Sequence, residues 1–125
     1  MEEIKSYFFD TYALYEIVHN KENYVPYMIN ISVITCKLNL MELHYSLLRL
    51  YGKQKADEAY AFFLPFCIDF DDKDIKEANV FRLQNYKRDL SYVDCLGYVL
   101  SKKCNIKFLT GDPQFKDFDN IEFVP

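Results

Sequence analysis

The chain has 125 residues, which is enough for one domain with a buried core and too short for two. Half of the residues are hydrophobic and 27% are charged, a balance that excludes an intrinsically disordered chain. The 15 Lys and Arg residues are outnumbered by 19 Asp and Glu residues, which gives a net charge of −4. This charge excludes a uniformly basic surface, so any nucleic acid would have to bind at local patches.

The sequence predicts neither export nor a membrane span. The apolar stretch near the start is short and lacks the basic residues that precede the apolar part of a signal peptide. The longest uncharged run, from Asn23 to Cys36, is shorter than the roughly 20 residues needed to cross a bilayer. The four cysteines are widely spaced, and neither histidine has a cysteine at zinc-ligand spacing. We therefore expect a cytoplasmic protein with reduced cysteines and no zinc.

Hydrophobic periodicity predicts strands and helices that alternate along the chain. In chain order these are a strand at 4–9, a helix at 11–18, a strand within 27–35, helices at 40–51 and 53–64, a short strand at 66–70, helices at 72–87 and 91–103, and strands at 106–109 and 121–124. In the helix at 72–87 we expect a loose apolar stripe of Ile75, Ala78, Leu83 and Tyr86. This order predicts a single α/β domain over 1–125, with a parallel sheet covered on both sides.

Four carboxylates lie at junctions between the predicted elements. Asp10 closes the first strand, and Asp112 follows the strand at 106–109. Glu42 and Asp94 each lie in the first predicted turn of a helix. Ligands of open α/β sheets bind beyond the carboxyl ends of the strands, and helices that follow strands begin at the same edge. The four acids can therefore converge on one pocket.

Helix capping offers an alternative explanation for each of these acids. The pairs Asn39 with Glu42 and Ser91 with Asp94 fit capping boxes, Asp112 precedes a proline as an N-cap would, and Asp10 can cap the helix at 11–18. Considered together, however, carboxylates crowded at one sheet edge repel one another unless a cation lies among them. Mg²⁺ and Mn²⁺ prefer such oxygen ligands and act on phosphate groups. Both explanations stay open on these observations.

Four segments of the sequence resemble the PIN domain family, which includes the VapC-type toxins of toxin–antitoxin pairs and related ribonucleases. They are Phe9-Asp-Thr-Tyr-Ala-Leu14, Asn39-Leu-Met-Glu-Leu43, Ser91-Tyr-Val-Asp-Cys-Leu96 and Phe108-Leu-Thr-Gly-Asp-Pro-Gln-Phe115. The resemblance covers nearly the whole chain. It implies a three-layer α/β/α sandwich with a central, mostly parallel sheet of about four to five strands.

The resemblance also implies an activity and a set of site residues. The activity is that of a metal-dependent endoribonuclease, whose catalytic and metal-binding acids would be Asp10, Glu42, Asp94 and Asp112. One or two Mg²⁺ or Mn²⁺ ions would activate a water for attack on an RNA phosphodiester bond. Three hydroxyl residues would hydrogen-bond to these acids, namely Thr11, Ser91 and Thr110. We further expect a small antitoxin protein as partner and a homodimer.

Few positive side chains are candidates to hold RNA near the pocket, and each has a simpler explanation. Lys102, Lys103 and Lys107 flank the turn into the strand at 106–109, where lysines also complement the dipole of the preceding helix. Arg82 is a weaker candidate because it shares the predicted apolar stripe. Two loop acids, Asp117 and Asp119, can add a distal metal ligand or simply be solvated.

Two other functions remain open from the sequence. A non-catalytic interaction module could have kept the fold and the helix caps, although the presence of all four acids argues against it. A receiver-like phosphoacceptor domain would also bind Mg²⁺. Such a domain requires a pair of acids at the end of the first strand and a lysine after the last strand. This chain has Asp10 alone at the first position and ends Phe123-Val124-Pro125.

Overall fold

The structure is a computed structural model that describes residues 3–125. Its elements in chain order are β1 (Lys5–Phe9), α1 (Thr11–Val18), a 3₁₀ segment (Glu22–Met28), β2 (Ile31–Ile34), α2 (Lys37–Tyr51), α3 (Lys53–Phe63), a 3₁₀ turn (Leu64–Phe66), α4 (Asp72–Gln84), α5 (Tyr92–Lys103), β3 (Lys107–Thr110), a 3₁₀ turn (Pro113–Phe115) and β4 (Ile121–Phe123). The predicted helices and four of the five predicted strands are therefore confirmed, with small shifts at their ends.

The four strands form one parallel sheet in the order β2-β1-β3-β4. In the centre of this sheet, Phe8 of β1 lies opposite Ile34 of β2 on one side and Phe108 of β3 on the other. Side chains alternate between the faces of a strand, so Phe9 points to one face and Phe8 to the other. Both are fully buried, as expected for a strand covered on both sides.

Helices cover the sheet on both faces. On the face of Phe9 and Leu109, the core consists of apolar residues of α1, α2 and α3, including Leu14 and Leu43. On the face of Phe8, the core consists of residues of α4 and α5 together with side chains such as Phe115. The predicted three-layer α/β/α sandwich with a parallel sheet is therefore confirmed.

The prediction of a strand over 66–70 is wrong. Only Cys67 pairs there, through a single parallel bridge to Thr35 just beyond β2. Two hydrogen bonds make this bridge, from the Thr35 N–H to the Phe66 carbonyl (3.1 Å) and from the Ile68 N–H to the Thr35 carbonyl (2.9 Å). The apolar run is too short to continue as a strand, because a 3₁₀ turn containing Pro65 precedes it and the acidic start of α4 follows.

The predicted apolar stripe of α4 is also wrong. The helix ends at Gln84, and of the four stripe residues only Ala78 is buried. Leu83 is 73% exposed and Tyr86, which follows the helix, is 71% exposed. The helix packs on α5 through Ala78 and through Phe81, whose ring stacks on Tyr98 of α5 at 4.7 Å. Ile75, Leu83 and Tyr86 therefore stay exposed.

No helix within residues 3–125 is long and apolar enough to cross a membrane. All four cysteines are free thiols, of which Cys36 and Cys95 are buried and Cys104 is exposed.

Candidate active site

Asp10 is a buried carboxylate at the carboxyl end of β1, and only 3% of the residue is exposed. Its Oδ1 accepts a hydrogen bond of 2.8 Å from the backbone N–H of Ala13, so the predicted cap of α1 is confirmed. The Thr110 hydroxyl also hydrogen-bonds to this carboxylate. Within residues 3–125, no Lys, Arg or His forms an ion pair with Asp10. The Asp10 carboxyl group is therefore held by neutral donors alone.

Glu42 is held by a chain of hydrogen bonds that starts inside the protein. The Cys36 thiol donates to Asn39 Oδ1 (3.1 Å), and Asn39 Nδ2 donates to Thr11 Oγ1 (3.2 Å). Thr11 Oγ1 in turn donates to Glu42 Oε1 at 2.6 Å. The expected hydrogen bond from Thr11 to one of the four acids is thus present. It joins residues 31 positions apart in the sequence.

The interpretation of Asn39 as a helix cap is wrong. Helix α2 begins two residues earlier, at Lys37, and its N-cap is Cys36, which makes no side-chain capping bond. Glu42 therefore lies in the second turn of the helix and not in the first. Asn39 is only 1% exposed, and it holds the Thr11 hydroxyl. Sequence reasoning missed this role because nothing in the pattern indicates a helix that starts without a capping side chain.

Asp94 lies in the first turn of α5, in the predicted capping box. Ser91 Oγ accepts a hydrogen bond from the Asp94 backbone N–H (3.0 Å), and Asp94 Oδ2 accepts one from the Ser91 N–H (2.9 Å). The reciprocal cap is therefore confirmed. It engages only one of the two carboxylate oxygens of Asp94.

Asp112 caps the 3₁₀ turn that follows β3. Its Oδ1 accepts a hydrogen bond from the Gln114 N–H (3.0 Å), while its own N–H donates to Thr110 Oγ1 (3.0 Å). Thr110 therefore ties the Asp112 turn to the Asp10 carboxylate. Gly111 lies between them, and a Cβ at this position would lie 2.2 Å from the Tyr12 ring and 2.4 Å from the Val124 carbonyl oxygen. Only glycine leaves room for this close approach.

The four acids interact electrostatically at the carboxyl edge of the sheet. Burial raises the pKa of Asp10 to about 8, and the nearby charges of Asp94 and Asp112 raise it as well. Burial also raises the pKa of Asp94, to which the charges of Glu42 and Asp112 add. Electrostatic interactions thus link Asp10 to Asp94 and Asp112, and link Asp94 to Glu42 and Asp112.

A divalent cation suits this set of donors. Within residues 3–125, no three Asp, Glu, His or Cys side chains lie close enough to enclose a metal ion on their own. Mg²⁺, however, is usually bound through one or two carboxylates and keeps several of its waters. Asp10 and Asp94 have raised pKa values because of their burial and the charges of neighbouring acids. Within residues 3–125, no Lys, Arg or His supplies a positive charge to either of them through an ion pair. A bound cation would supply that charge.

The three lysines considered for RNA contact lie at the opposite edge of the sheet from the acids. They belong to the end of α5 and the start of β3. Each forms an ion pair there: Lys102 with Asp119 (3.0 Å), Lys103 with Asp74 (3.0 Å) and Lys107 with Glu122 (3.9 Å). These ion pairs give the three lysines a structural role at the edge of the sheet formed by the amino ends of the strands.

The remaining candidates are also held by local partners. Asp119 accepts a hydrogen bond from the Tyr98 hydroxyl (2.6 Å) besides its pair with Lys102, so it is not a distal neighbour of the acid cluster. Asp117 is exposed and lies 3.9 Å from the Arg88 guanidinium. Arg82, in contrast, lies beside the loop that precedes Asp94, since its Nε donates to the Leu90 carbonyl at 3.1 Å.

The sequence matches the PIN domain family model over residues 7–121, and the chain therefore belongs to the PIN domain family. This family and fold support a nuclease-type function. No curated protein matches the sequence.

Several solved structures share the fold at low sequence identity. VapC20 of Mycobacterium tuberculosis, described as a sarcin-ricin loop cleaving toxin, aligns with a TM-score of 0.79 and 19% identity over 94% of this chain and 98% of its own. A toxin–antitoxin complex from Klebsiella pneumoniae aligns with a TM-score of 0.73 and 15% identity, over 93% and 95% of the two chains. VapBC2 from Rickettsia felis, bound to a promoter DNA fragment, aligns with a TM-score of 0.69 and 19% identity, over 95% of this chain and 97% of its own.

Proposed function

We propose that this chain is a Mg²⁺- or Mn²⁺-dependent endoribonuclease, the toxin of a VapC-type toxin–antitoxin pair. Its site consists of Asp10, Glu42, Asp94 and Asp112. The observation that carries this proposal is the buried Asp10 carboxylate, which has no basic partner in the described chain and lies within electrostatic reach of two other acids. Such an arrangement is unfavourable without a cation, so it supports a metal site more strongly than a set of separate helix caps.

The four acids would hold the metal, and the residues that hydrogen-bond to the acids orient their carboxylates. The capping bonds engage Asp94 Oδ2 and Asp112 Oδ1, which leaves the second oxygen of each carboxylate for the ion or its waters. Thr11 fixes the direction of the Glu42 carboxylate, which we assign to a metal ligand or to the orientation of the attacking water. When bound, the ion lowers the pKa of a water and neutralises charge that develops on the phosphate.

We infer the substrate and the partner from the proteins whose structures share this fold. An RNA-cleaving toxin and two toxin–antitoxin assemblies share this fold, which supports RNA as substrate and an antitoxin as partner. A homodimer and a cytoplasmic location stay predictions. The family match removes the receiver-like phosphoacceptor domain as an alternative.

A cleavage assay with matched acid variants tests the proposed function. The full chain is incubated with single-stranded RNA in Mn²⁺ or Mg²⁺, and separately with EDTA. We expect cleavage only with metal, and a loss of at least about 100-fold in Asp10→Asn and Asp112→Asn. Asp119→Asn, which neutralises an acid at the other edge of the sheet, should cleave like the unmodified chain.

Two outcomes would overturn the proposal. Cleavage that persists in EDTA, or in Asp10→Asn at the original rate, would show that the acids do not form the nuclease site. Metal binding without RNA cleavage would instead favour the second candidate, an interaction module that has kept the fold and the acids.

A further inference from the structure

One arginine near the acid cluster has its guanidinium group largely uncommitted. Arg82 lies on α4, and its guanidinium carbon is 4.2 Å from the centre of the Tyr92 ring. Its Nε donates to the Leu90 carbonyl, and among residues 3–125 no carboxylate forms an ion pair with it. The two terminal nitrogens, which are the donors that bind phosphate side by side, thus have no protein acceptor in the described chain.

The neighbouring Arg88 differs in this respect. Its Nη1 donates to the Gln114 carbonyl (2.6 Å), its Nη2 lies 3.9 Å from Asp117, and its guanidinium stacks 4.5 Å from the Phe118 ring centre. Arg88 therefore ties the loop before α5 to the turn that contains Asp112, a structural role. Arg82 is anchored at one nitrogen only.

Tyr92 offers an exposed aromatic ring next to the two terminal nitrogens of Arg82. It is the first residue of α5, two positions before Asp94, and it is 66% exposed. Its ring is open to solvent, so a base can stack on it. Arg82 and Tyr92 line a surface groove of about 400 Å³ together with Tyr86, which is 71% exposed.

The charge of this segment is favourable for a polyanion. Between residues 82 and 92 the chain has three basic side chains, those of Arg82, Lys87 and Arg88, and one acidic side chain, that of Asp89. The chain as a whole has a net charge of −4. This short segment is thus a local positive patch beside the acids that we assign to metal binding.

We propose that Tyr92 and Arg82 form a nucleotide-binding subsite for single-stranded RNA, in which the base stacks on the Tyr92 ring and Arg82 binds a backbone phosphate. This inference rests on the proposed nuclease function, because it identifies where the substrate strand lies next to the cleavage site. A base is accessible for stacking only when it is unpaired, so the subsite selects single strands over duplexes. The subsite lies on the α4–α5 side of the acids and defines the direction in which the strand leaves the pocket.

Binding of a fluorescein-labelled, mixed-sequence single-stranded RNA of about 12 nucleotides tests the subsite. Anisotropy is measured on the full chain in EDTA, so that no cleavage occurs. We expect Tyr92→Ala to weaken binding on the order of tenfold, whereas Tyr92→Phe keeps the affinity because it keeps the ring. Arg82→Ala should also weaken binding and reduce the slope of log affinity against log salt by about 0.7, the loss of one phosphate contact.

The chain provides a matched control on the other face of the sheet. Tyr45 of α2 is 61% exposed and lies under the Arg49 guanidinium at 5.7 Å. Tyr45→Ala therefore removes a similar cation–π pair from a helix whose residues Leu43 and Leu47 pack in the core on the other face of the sheet. Tyr45→Ala should bind RNA like the unmodified chain. Thermal unfolding of each variant verifies that it is folded.

The results separate this inference from the proposed function. If Tyr92→Ala and Tyr45→Ala bind RNA equally well, or if Arg82→Ala leaves the salt slope unchanged, the subsite is wrong even if the chain cleaves RNA. If binding depends on Tyr92 and Arg82 but no cleavage occurs with Mn²⁺, the subsite stands and the nuclease proposal fails. A similar loss of affinity for duplex RNA in Tyr92→Ala would also overturn the stacking role.

Discussion

The Thr11 hydroxyl donates a hydrogen bond of 2.6 Å to the Glu42 carboxylate and accepts one of 3.2 Å from Asn39. The three residues come from α1 and α2, which follow different strands of the sheet. This connection gives Glu42 one defined direction although Glu42 is in the middle of a helix and caps nothing. Asp10, Asp94 and Asp112 each accept a hydrogen bond from a backbone N–H of their own turn, whereas Glu42 is held by a side chain distant in sequence.

Replacement of Thr11 should therefore impair the proposed reaction without unfolding the chain. Thr11→Val keeps the shape of the side chain but removes the donor to Glu42, and we expect cleavage to slow by about 10- to 100-fold. Thr11→Ser keeps the hydroxyl and should retain most of the activity. Single-turnover cleavage with saturating Mn²⁺ measures the difference. Equal rates for Thr11→Val and Thr11→Ser would show that this hydrogen bond does not position Glu42 for the reaction.

Neutralising Asp10 should stabilise the metal-free protein. Burial and the charges of Asp94 and Asp112 raise the pKa of Asp10, so the charged form is disfavoured in the folded state. Asn still caps a helix well and has no charge, and we expect Asp10→Asn to raise the free energy of unfolding in EDTA by about 1–2 kcal/mol.

In Mn²⁺, the unmodified protein should instead be more stable than Asp10→Asn. Mn²⁺ that binds only the folded, unmodified protein raises its melting temperature, and the rise should be absent in Asp10→Asn. Calorimetry or thermal unfolding with and without Mn²⁺ measures both effects. Asp119→Asn is the control, since Asp119 is paired with Lys102 and its neutralisation should not stabilise the fold. A metal-induced rise of the same size in Asp10→Asn would contradict the assignment.

Asp74 should make stability depend on pH in the acidic range. Burial by itself would raise the pKa of Asp74, but hydrogen bonds from the Asp71 backbone N–H and from the Lys103 ammonium outweigh it and lower the pKa. A carboxyl group whose pKa is lower in the folded state stabilises the fold above its unfolded pKa, which is about 3.9. This contribution is lost as the pH falls through the folded-state pKa.

We therefore expect Asp74→Asn to lower the free energy of unfolding by about 1 kcal/mol at neutral pH and by less at about pH 3. Urea unfolding at the two pH values measures the difference. Asp72→Asn, at an exposed position in the same turn, serves as control and should change stability little at either pH. A loss in Asp74→Asn that is equally large at both pH values would show that the charge of Asp74 is not the cause.

Gly111 should tolerate no side chain. A Cβ there would lie within 2.4 Å of the Val124 carbonyl oxygen, a backbone atom, and closer still to the Tyr12 ring. We expect Gly111→Ala to destabilise the fold by about 3 kcal/mol or more, measured by urea unfolding. Gly52 is the comparison, because it has a positive φ of 93° but no atom within 4 Å of its Cβ position. Gly52→Ala should cost about 1–3 kcal/mol of backbone strain, less than Gly111→Ala, and an equal loss at both glycines would contradict the steric explanation.

The sequence best predicts interactions between residues that are close together along the chain. Ser91 and Asp94 are three residues apart and make the predicted capping box, and Asp10 and Asp112 cap the turns that directly follow them. The strand of Phe8 and Phe9 is recognisable because it is apolar on both faces. In each case the residues that interact are within a few positions of each other.

Relationships between distant or weakly marked residues could not be predicted. The start of α2 at Lys37 has no capping side chain, so the sequence favours Asn39 as the cap and does not indicate its hydrogen bond to Thr11. The apolar spacing of α4 includes Leu83 in a buried face, whereas the helix packs through Ala78 and Phe81. Apolar periodicity reports which face a helix can bury, but the neighbouring elements decide how much of it is covered.

The helix caps have a consequence for how much the rest of the sequence can vary. Asp10, Asp94 and Asp112 are each placed by a backbone N–H a few residues away, so their positions depend on where a helix or turn begins. Side chains elsewhere can change as long as those starting points stay fixed.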